Sequence, residues 1–179
     1  NFLTTGFLLW KLVAMPKSST PTPQPPSSNV QAITDLTLAV FRLNGSMLQW
    51  GDTLVEPLGL TSARWQMLGA IALAGEPLSA PRVGASMGVS RQGAQKQLNL
   101  LLDLGLVESR ANPAHRRSPL YALTPLGQRL FARAQALWSA RAAGLAARIP
   151  PAQVRAATKT LEAVLHHLSP SRNSLEEHS

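Results

Sequence analysis

The sequence predicts a mainly α-helical fold that contains one small antiparallel β hairpin. Apolar residues recur at helical spacing over most of residues 30–168. Two short extended runs, 106–108 and 120–123, are separated by a polar loop in which Asn112-Pro113 signals a turn. Because long helical stretches precede and follow this hairpin, we expect the strands to be a minor part of an α-rich domain.

Composition divides the 179-residue chain into three parts. Residues 1–29 comprise an N-terminal extension and a Pro/Ser/Thr-rich linker, which we expect to be disordered because the linker has nothing to bury. Residues 30–168 are predicted to form one domain, and residues 169–179 a polar tail. Met15 is a better candidate for the start of translation than the first residue. Residues 1–14 are therefore interpreted as upstream sequence, or alternatively as an interfacial or packing segment.

The first half of the domain is predicted to contain two helices. Residues 30–55 favour one long helix, although Asn44-Gly45 also allows a hairpin turn at this point. Thr61 is expected to begin the second helix. Its inward residues are predicted to be Trp65, Leu68, Ile71 and Ala72.

Three further helices are expected, one before and two after the polar helix that begins near Arg91. A short one follows Ser79, which is a fair cap, and Gly84 weakens it. A long helix runs from Thr124 to about Arg148, and a last helix follows the break at Pro150-Pro151. The long helix is predicted to face inward with four leucines: Leu126, Leu130, Leu137 and Leu145.

The helix beginning near Arg91 carries the most informative pattern. Ser90 can cap its free amides, and Gly105 is a good C-terminal stop. One side of the helix is apolar, with Ala94, Leu98 and Leu101. Long amides and a cation occupy the other side, namely Gln92, Lys96 and Asn99, with Asp103 beside them and Gln95 on the flank. Such side chains can bond base edges and phosphate, although an ordinary solvated helix face has similar residues.

The hairpin after this helix is expected to carry arginines on a projecting loop. The loop residues are Arg110, Arg116 and Arg117, and Pro119 stands where an edge strand tolerates it. A pair of arginines is usually a solvated surface feature. Beside a helix of this kind it is better interpreted as a contact to phosphate or to the minor groove of DNA.

Charge and residue usage narrow the classes of function. The formal net charge is +8, and residues 90–133 hold seven Arg or Lys against two acids, which favours an anionic partner. Without cysteine there is no thiolate nucleophile and no Cys-ligated zinc. No catalytic or phosphate-binding motif is present, and the neighbouring His166 and His167 diverge on a helix. We therefore expect no enzyme, no cofactor and no metal.

The pattern resembles the winged helix-turn-helix of the MarR family of bacterial transcription regulators. The resemblance covers residues 60–127, and its motifs are residues 59–61, 65–68, 88–92, 104–108 and 112–127. The family's wing usually has an Asp two residues before an Arg, and here those positions hold His115 and Arg117. The resemblance implies a winged helix-turn-helix with a small antiparallel β wing and long N- and C-terminal dimerisation helices. It assigns residues 60–124 to DNA binding, and 30–55 and 125–168 to dimerisation.

This resemblance implies a cytoplasmic homodimer that binds double-stranded DNA at a pseudo-palindromic operator and acts as a repressor, or less often as an activator. The expected DNA-binding residues are Ser90, Arg91, Gln92, Gln95, Lys96, Asn99, Arg110, Arg116 and Arg117. Related regulators bind small aromatic or phenolic acids, for which the candidate residues are Arg42, Met47, Trp50 and Trp65. The alternatives are a winged-helix protein-interaction module without specific DNA binding and a basic protein that docks on membrane. The main interpretation has no membrane partner.

Overall fold

The structure is a computed structural model of the chain, described over residues 27–168. The helices are α1 (Ser28–Val55), α2 (Ser62–Ala74), α3 (Ala80–Met87), α4 (Arg91–Asp103), α5 (Pro125–Ala146) and α6 (Pro151–Leu168). The strands are β1 (Leu78–Ser79), β2 (Val107–Arg110) and β3 (Leu120–Leu123). The predicted α-rich winged-helix fold with a small antiparallel sheet is confirmed. The predictions for the extension, for Met15, for most of the linker and for the polar tail fall outside the described residues.

By its internal contacts the chain separates into two units, Asn1–Phe41 and Arg42–Ser179. In the first unit, the described residues are Ser27 and the N-terminal part of α1. Ser27 Oγ accepts a hydrogen bond from Val30 N at 3.3 Å. Apolar side chains of this part are exposed, among them Ile33 and Phe41, which is 68% exposed. This stretch is helical but buries little apolar surface within the single chain.

The second unit contains the C-terminal part of α1 and all the other elements. Asn44-Gly45 lies inside α1, so the alternative of a hairpin turn there is wrong. A turn of 3₁₀ helix, Glu56–Leu58, follows α1. Asp52, near the C-terminal end of α1, accepts a hydrogen bond at Oδ1 from the backbone N–H of Ser62, the first residue of α2, at 2.6 Å. A carboxylate therefore lies at the positive end of α2.

The core of this unit lies among α2, α3, α4 and the sheet. Its largest fully buried side chains are Met67, Leu68, Leu98, Leu101, Val55 and Val83. The predicted apolar side of α4 is therefore confirmed, since Leu98 and Leu101 are both fully buried. Burial of one whole helix face fixes the rotation of α4 and decides which of its side chains remain at the surface.

Three of the four residues predicted at helix starts cap their helices. The hydroxyls of Thr61, Ser90 and Thr124 accept hydrogen bonds from backbone N–H groups at the starts of α2, α4 and α5. Ser79 occupies the cap position of α3 but makes no side-chain cap bond. It lies instead in β1, where it pairs with Leu120.

The sheet has three strands rather than the two of the predicted hairpin. Both strand pairs are antiparallel and the order is β1-β3-β2, so β3 is the central strand. Pro119 therefore does not lie on an edge strand. It immediately precedes the central one, where its missing N–H removes no hydrogen bond of the ladder. Arg110, predicted on the loop, is the last residue of β2 and pairs with Leu120.

Two glycines permit close backbone approaches that an alanine would obstruct. A Cβ on Gly84 would stand 2.9 Å from the carbonyl oxygen of Val89. Gly84 thus allows α3 to pack on the turn leading to α4, a role that outweighs its low helix propensity. At Gly127, a Cβ would overlap the carbonyl oxygen of Leu106.

Most apolar residues of α5 and α6 are exposed in the single chain. Leu126, Leu137 and Leu145 are 47%, 37% and 52% exposed, so the prediction that they face inward is wrong for one chain. Leu130 is half-buried against the core. No residue of α6 is buried. Among residues 27–168, no helix is long and apolar enough to cross a membrane.

Candidate nucleic-acid interface

The exposed side of α4 collects most of the predicted DNA-binding residues. Arg91, Gln92, Lys96 and Asn99 are exposed, and together with Gln95 and Leu100 they line one surface depression. They lie opposite Ala94, Leu98 and Leu101, which are all fully buried. The result is a continuous row of cations and amides, which we call the recognition face, on a helix held in place by its apolar side.

The N-terminal end of α4 reaches the surface at Ser90 and Arg91, which are both exposed. The Ser90 hydroxyl accepts a hydrogen bond from Gly93 N at 3.0 Å. The partial positive charge of a helix N-terminus is therefore accessible here, next to the arginine. This arrangement suits an anionic group such as phosphate.

Gln95 differs from its neighbours because it is half-buried and tethered. Its Nε2 donates hydrogen bonds to Asn99 Oδ1 at 2.8 Å and to the hydroxyl of Tyr121 at 2.7 Å. Tyr121 belongs to the central strand β3 and is only 2% exposed. The sequence pattern located Gln95 on the helix flank but contained no indication of its tyrosine partner.

The wing consists of β2, β3 and the loop 111–119 between them. Asn112 organises this loop, since its Nδ2 donates to Ser118 O at 2.8 Å and its Oδ1 accepts from Ala114 N at 3.1 Å. Backbone bonds close the rest of the loop, from His115 N to Asn112 O and from Ser118 N to His115 O. The loop is thus ordered by an amide, although His115 stands where the family usually has an acid.

The wing arginines fall into two groups. Arg116 and Arg117 are exposed on the loop, and neither is held by a carboxylate of the described residues. Arg110 on β2 is instead paired with Glu108 Oε1, at 2.6 Å from the terminal nitrogen and 2.8 Å from Nε. Because both groups of this pair are about half exposed, the bond is screened and exchangeable.

Arg110 also lies beside a cavity that is separate from the recognition face. It lines a cavity of about 400 Å³ with apolar residues of α2, β3 and α5, including Ile71, Leu123 and Phe131. The structure therefore separates Arg110 from the row on α4, while it keeps Arg116 and Arg117 together on the loop.

A second cavity, of about 330 Å³, lies between α1, α2 and α5 within the second unit. Met47, Trp50 and Trp65 line it together, whereas Arg42 is not among its lining residues. Trp138 contributes a third indole, with its ring centroid 5.8 Å from that of Trp50 and 6.4 Å from that of Trp65. The other lining residues are apolar or neutral and polar: Ser62, Gln66, Gly69, Leu73, Met87, Phe131 and Gln135.

A sequence profile of the MarR family matches residues 58–118, which include α2, α3, α4, β2 and most of the wing loop. An uncharacterized protein of Mycobacterium tuberculosis (strain ATCC 25618 / H37Rv) is 39% identical over 99 residues, which cover 55% of this chain and 68% of that protein. This chain belongs to the MarR family. It is therefore a winged-helix regulator of transcription.

Several solved structures share this fold. CouR from Rhodococcus jostii RHA1, solved bound to p-coumaroyl-CoA, has a TM-score of 0.65 and 26% identity, covering 73% of this chain and 91% of CouR. A MarR-family regulator from Rhodococcus sp. RHA1 has a TM-score of 0.64 and 26% identity, with coverages of 73% and 92%. MosR of M. tuberculosis, solved in complex with DNA, has a TM-score of 0.61 and 24% identity, with coverages of 73% and 96%.

Proposed function

We propose that this MarR-family chain represses transcription by binding a pseudo-palindromic operator on double-stranded DNA as a homodimer. The observation that carries the proposal is the recognition face of α4, exposed opposite a fully buried apolar side. A helix fits the major groove, where base edges present donors and acceptors in a distinct pattern for each base pair. The fold shared with MosR, which was solved with DNA, is in agreement with this use.

In this proposal the residues of α4 and of the wing have different tasks. Gln92, Lys96 and Asn99 contact base edges in the major groove, with Gln95 beside them. Arg91 and the capped N-terminus at Ser90 contact phosphate. Arg116 and Arg117 extend to the neighbouring backbone or minor groove. Arg110 contributes after its carboxylate partner is exchanged for phosphate, which an exposed ion pair allows at little cost.

The dimer in this proposal is formed by residues 30–55 and 125–168, and residues 60–124 of each copy bind one half-site. Exposed apolar side chains recur along α1, α5 and α6, with Phe41, Leu145 and Val154 all more than 40% exposed. Apolar faces of this extent are typical of surfaces that are covered in an assembly. A two-fold dimer would present two recognition helices, which matches a palindromic site.

The effector in this proposal is a small ring compound that occupies the cavity lined by three tryptophans. The lining contains indoles, thioethers and two glutamines but no charged side chain. The sequence suggested an aromatic acid with Arg42 as its partner, whereas the lining favours a neutral aromatic or phenolic molecule. The binding of p-coumaroyl-CoA to CouR, a regulator of similar fold, agrees with an aromatic effector.

Selection of binding sites from randomised duplex DNA tests the proposal. A palindrome should emerge, and its two half-sites should be centred about 10 base pairs apart, or a multiple of this. Gln92→Ala should relax the base preference at one position per half-site, whereas Arg117→Ala should weaken binding equally on all sequences. Binding that yields no consensus, or affinity that is independent of salt concentration, would refute DNA recognition by this chain.

A further inference from the structure

The buried Tyr121, to which the proposed function gives no role, is hydrogen-bonded to Gln95 of the recognition face. The hydroxyl of Tyr121 accepts a hydrogen bond of 2.7 Å from Gln95 Nε2. The same nitrogen donates to Asn99 Oδ1 at 2.8 Å. The chain Tyr121–Gln95–Asn99 thus runs from inside the sheet to the exposed side of α4.

The tyrosine end of this chain is fixed by the sheet. Tyr121 lies in the central strand and pairs with Leu78 of β1 on one side and with Ser109 of β2 on the other. Its side chain is part of the hydrophobic core. Because the ring is packed on all sides, the position of its hydroxyl is determined by the fold and not by a mobile surface rotamer.

The hydrogen bonds that the Gln95 and Asn99 side chains already make determine which of their groups remain free to contact a base. A primary amide nitrogen has two hydrogens, and Gln95 uses both within the protein. Its free group is therefore Oε1, which only accepts. Gln95 occupies one of the two lone pairs of Asn99 Oδ1, so the group that Asn99 offers in full is Nδ2, which only donates.

We propose that Tyr121 is a positioning residue for base recognition: through Gln95 and Asn99 it gives α4 one fixed acceptor and one fixed donor. An untethered glutamine contacts adenine with both groups of its amide at N6 and N7. Held by Tyr121, Gln95 can only accept, so it contacts an exocyclic amine, adenine N6 or cytosine N4, and distinguishes which strand of the base pair carries that amine. Asn99, one helical turn further, selects a base that accepts a hydrogen bond.

This inference rests on the proposed DNA recognition, and one experiment distinguishes failure of the inference from failure of DNA recognition. Sites are selected from randomised duplex DNA with the wild type, with Tyr121→Phe and with Gln95→Glu. Tyr121→Phe removes only the hydroxyl and frees one Nε2 hydrogen of Gln95. The base preference at the position that depends on Gln95 should therefore change about five-fold, the value of one ordinary hydrogen bond. Gln95→Glu keeps an acceptor in place, so the wild-type base preference at this position should persist.

The controls test whether Tyr121→Phe still folds and whether its effect is specific to base recognition. Tyr121→Phe should lower Tm by no more than about 3 °C and leave the affinity for random duplex DNA unchanged. Glu56→Gln changes an exposed side chain of the 3₁₀ turn that lies outside the proposed dimerisation and DNA-binding segments, and its base preference should equal that of the wild type. In the free protein, the ¹⁵N side-chain amide signals of Gln95 should shift in Tyr121→Phe.

The outcomes of this experiment decide separately on DNA recognition and on the role of Tyr121. A wild-type chain without any base preference overturns both the proposed function and this inference. A clear wild-type consensus that Tyr121→Phe retains in full overturns the inference alone.

Discussion

Removal of the two loop arginines should change the salt dependence of DNA binding by an amount that the structure sets. Arg116 and Arg117 are exposed, and no carboxylate of the described residues competes for them. The proposed homodimer has four such guanidinium groups, and each phosphate that is neutralised adds about 0.9 to the slope of log K against log salt concentration. The double variant Arg116→Ala/Arg117→Ala should therefore have a slope shallower by about 3.6. Between 50 and 200 mM salt, roughly, its affinity should fall about 150-fold less than that of the wild type.

The assay is fluorescence anisotropy with one labelled duplex at five salt concentrations. The matched control is Arg148→Ala/Arg155→Ala, which removes the same charge from exposed positions between α5 and α6 and on α6. Because both positions lie in the proposed dimerisation segment, sedimentation must first show that this variant has the mass of the wild type. If only the overall charge mattered, both double variants would change the slope equally. An unchanged slope in the loop variant, or an equal change in the control, would show that the wing does not contact phosphate.

Three further predictions concern the fold and the assembly. Gly127→Ala should destabilise the chain by about 3 kcal/mol, because the new Cβ meets the Leu106 carbonyl. Gly144 on the same helix has open space around it, so Gly144→Ala should stabilise the chain slightly. Calorimetry that finds equal Tm values for both would contradict this difference. Asn112→Ala should lose much of the arginine-dependent salt slope with Tm almost unchanged, and a retained slope would show that the loop is ordered without this amide. Leu161→Glu should convert the dimer to a monomer in sedimentation at micromolar concentration, and a wild-type mass would exclude α6 from the interface.

The helix boundaries were predictable because their signals are local in sequence. A hydroxyl three residues before a backbone N–H is sufficient to cap a helix, and Thr61, Ser90 and Thr124 each do so. The buried side of α4 followed in the same way from a spacing of three and four residues. These features need no knowledge of what lies elsewhere in the chain.

The features that were not predicted depend on contacts between distant residues. Strand β1 has two residues, too few for any alternation, and it exists because Leu78 and Ser79 pair with β3 more than forty residues later. The value of Gly84 likewise depends on the carbonyl of Val89 that approaches it. In sequence terms this glycine only weakens a helix, whereas in the structure a larger residue would displace the turn before α4.

Helical periodicity also identifies an apolar face without identifying what covers it. Leu126, Leu137 and Leu145 follow the expected spacing on α5, yet each is more than a third exposed in the single chain. The same pattern serves a core helix and a helix that is covered by another subunit, because both are driven by removal of apolar surface from water. The proposed dimer gives these leucines a partner without any change to the helix that carries them.

The candidate base-contacting residues illustrate a further limit, which concerns hydrogen-bonding capacity. A helical wheel places Gln92 and Gln95 on or near the same polar side and treats them as equivalent amides. The structure distinguishes them, since Gln92 is exposed and Gln95 has both Nε2 hydrogens engaged by Asn99 and Tyr121. What a side chain can offer to a base is its full set of donors and acceptors minus those already used inside the protein. Base preference at this surface is therefore determined partly by a tyrosine of the sheet, twenty-six residues from the glutamine it holds.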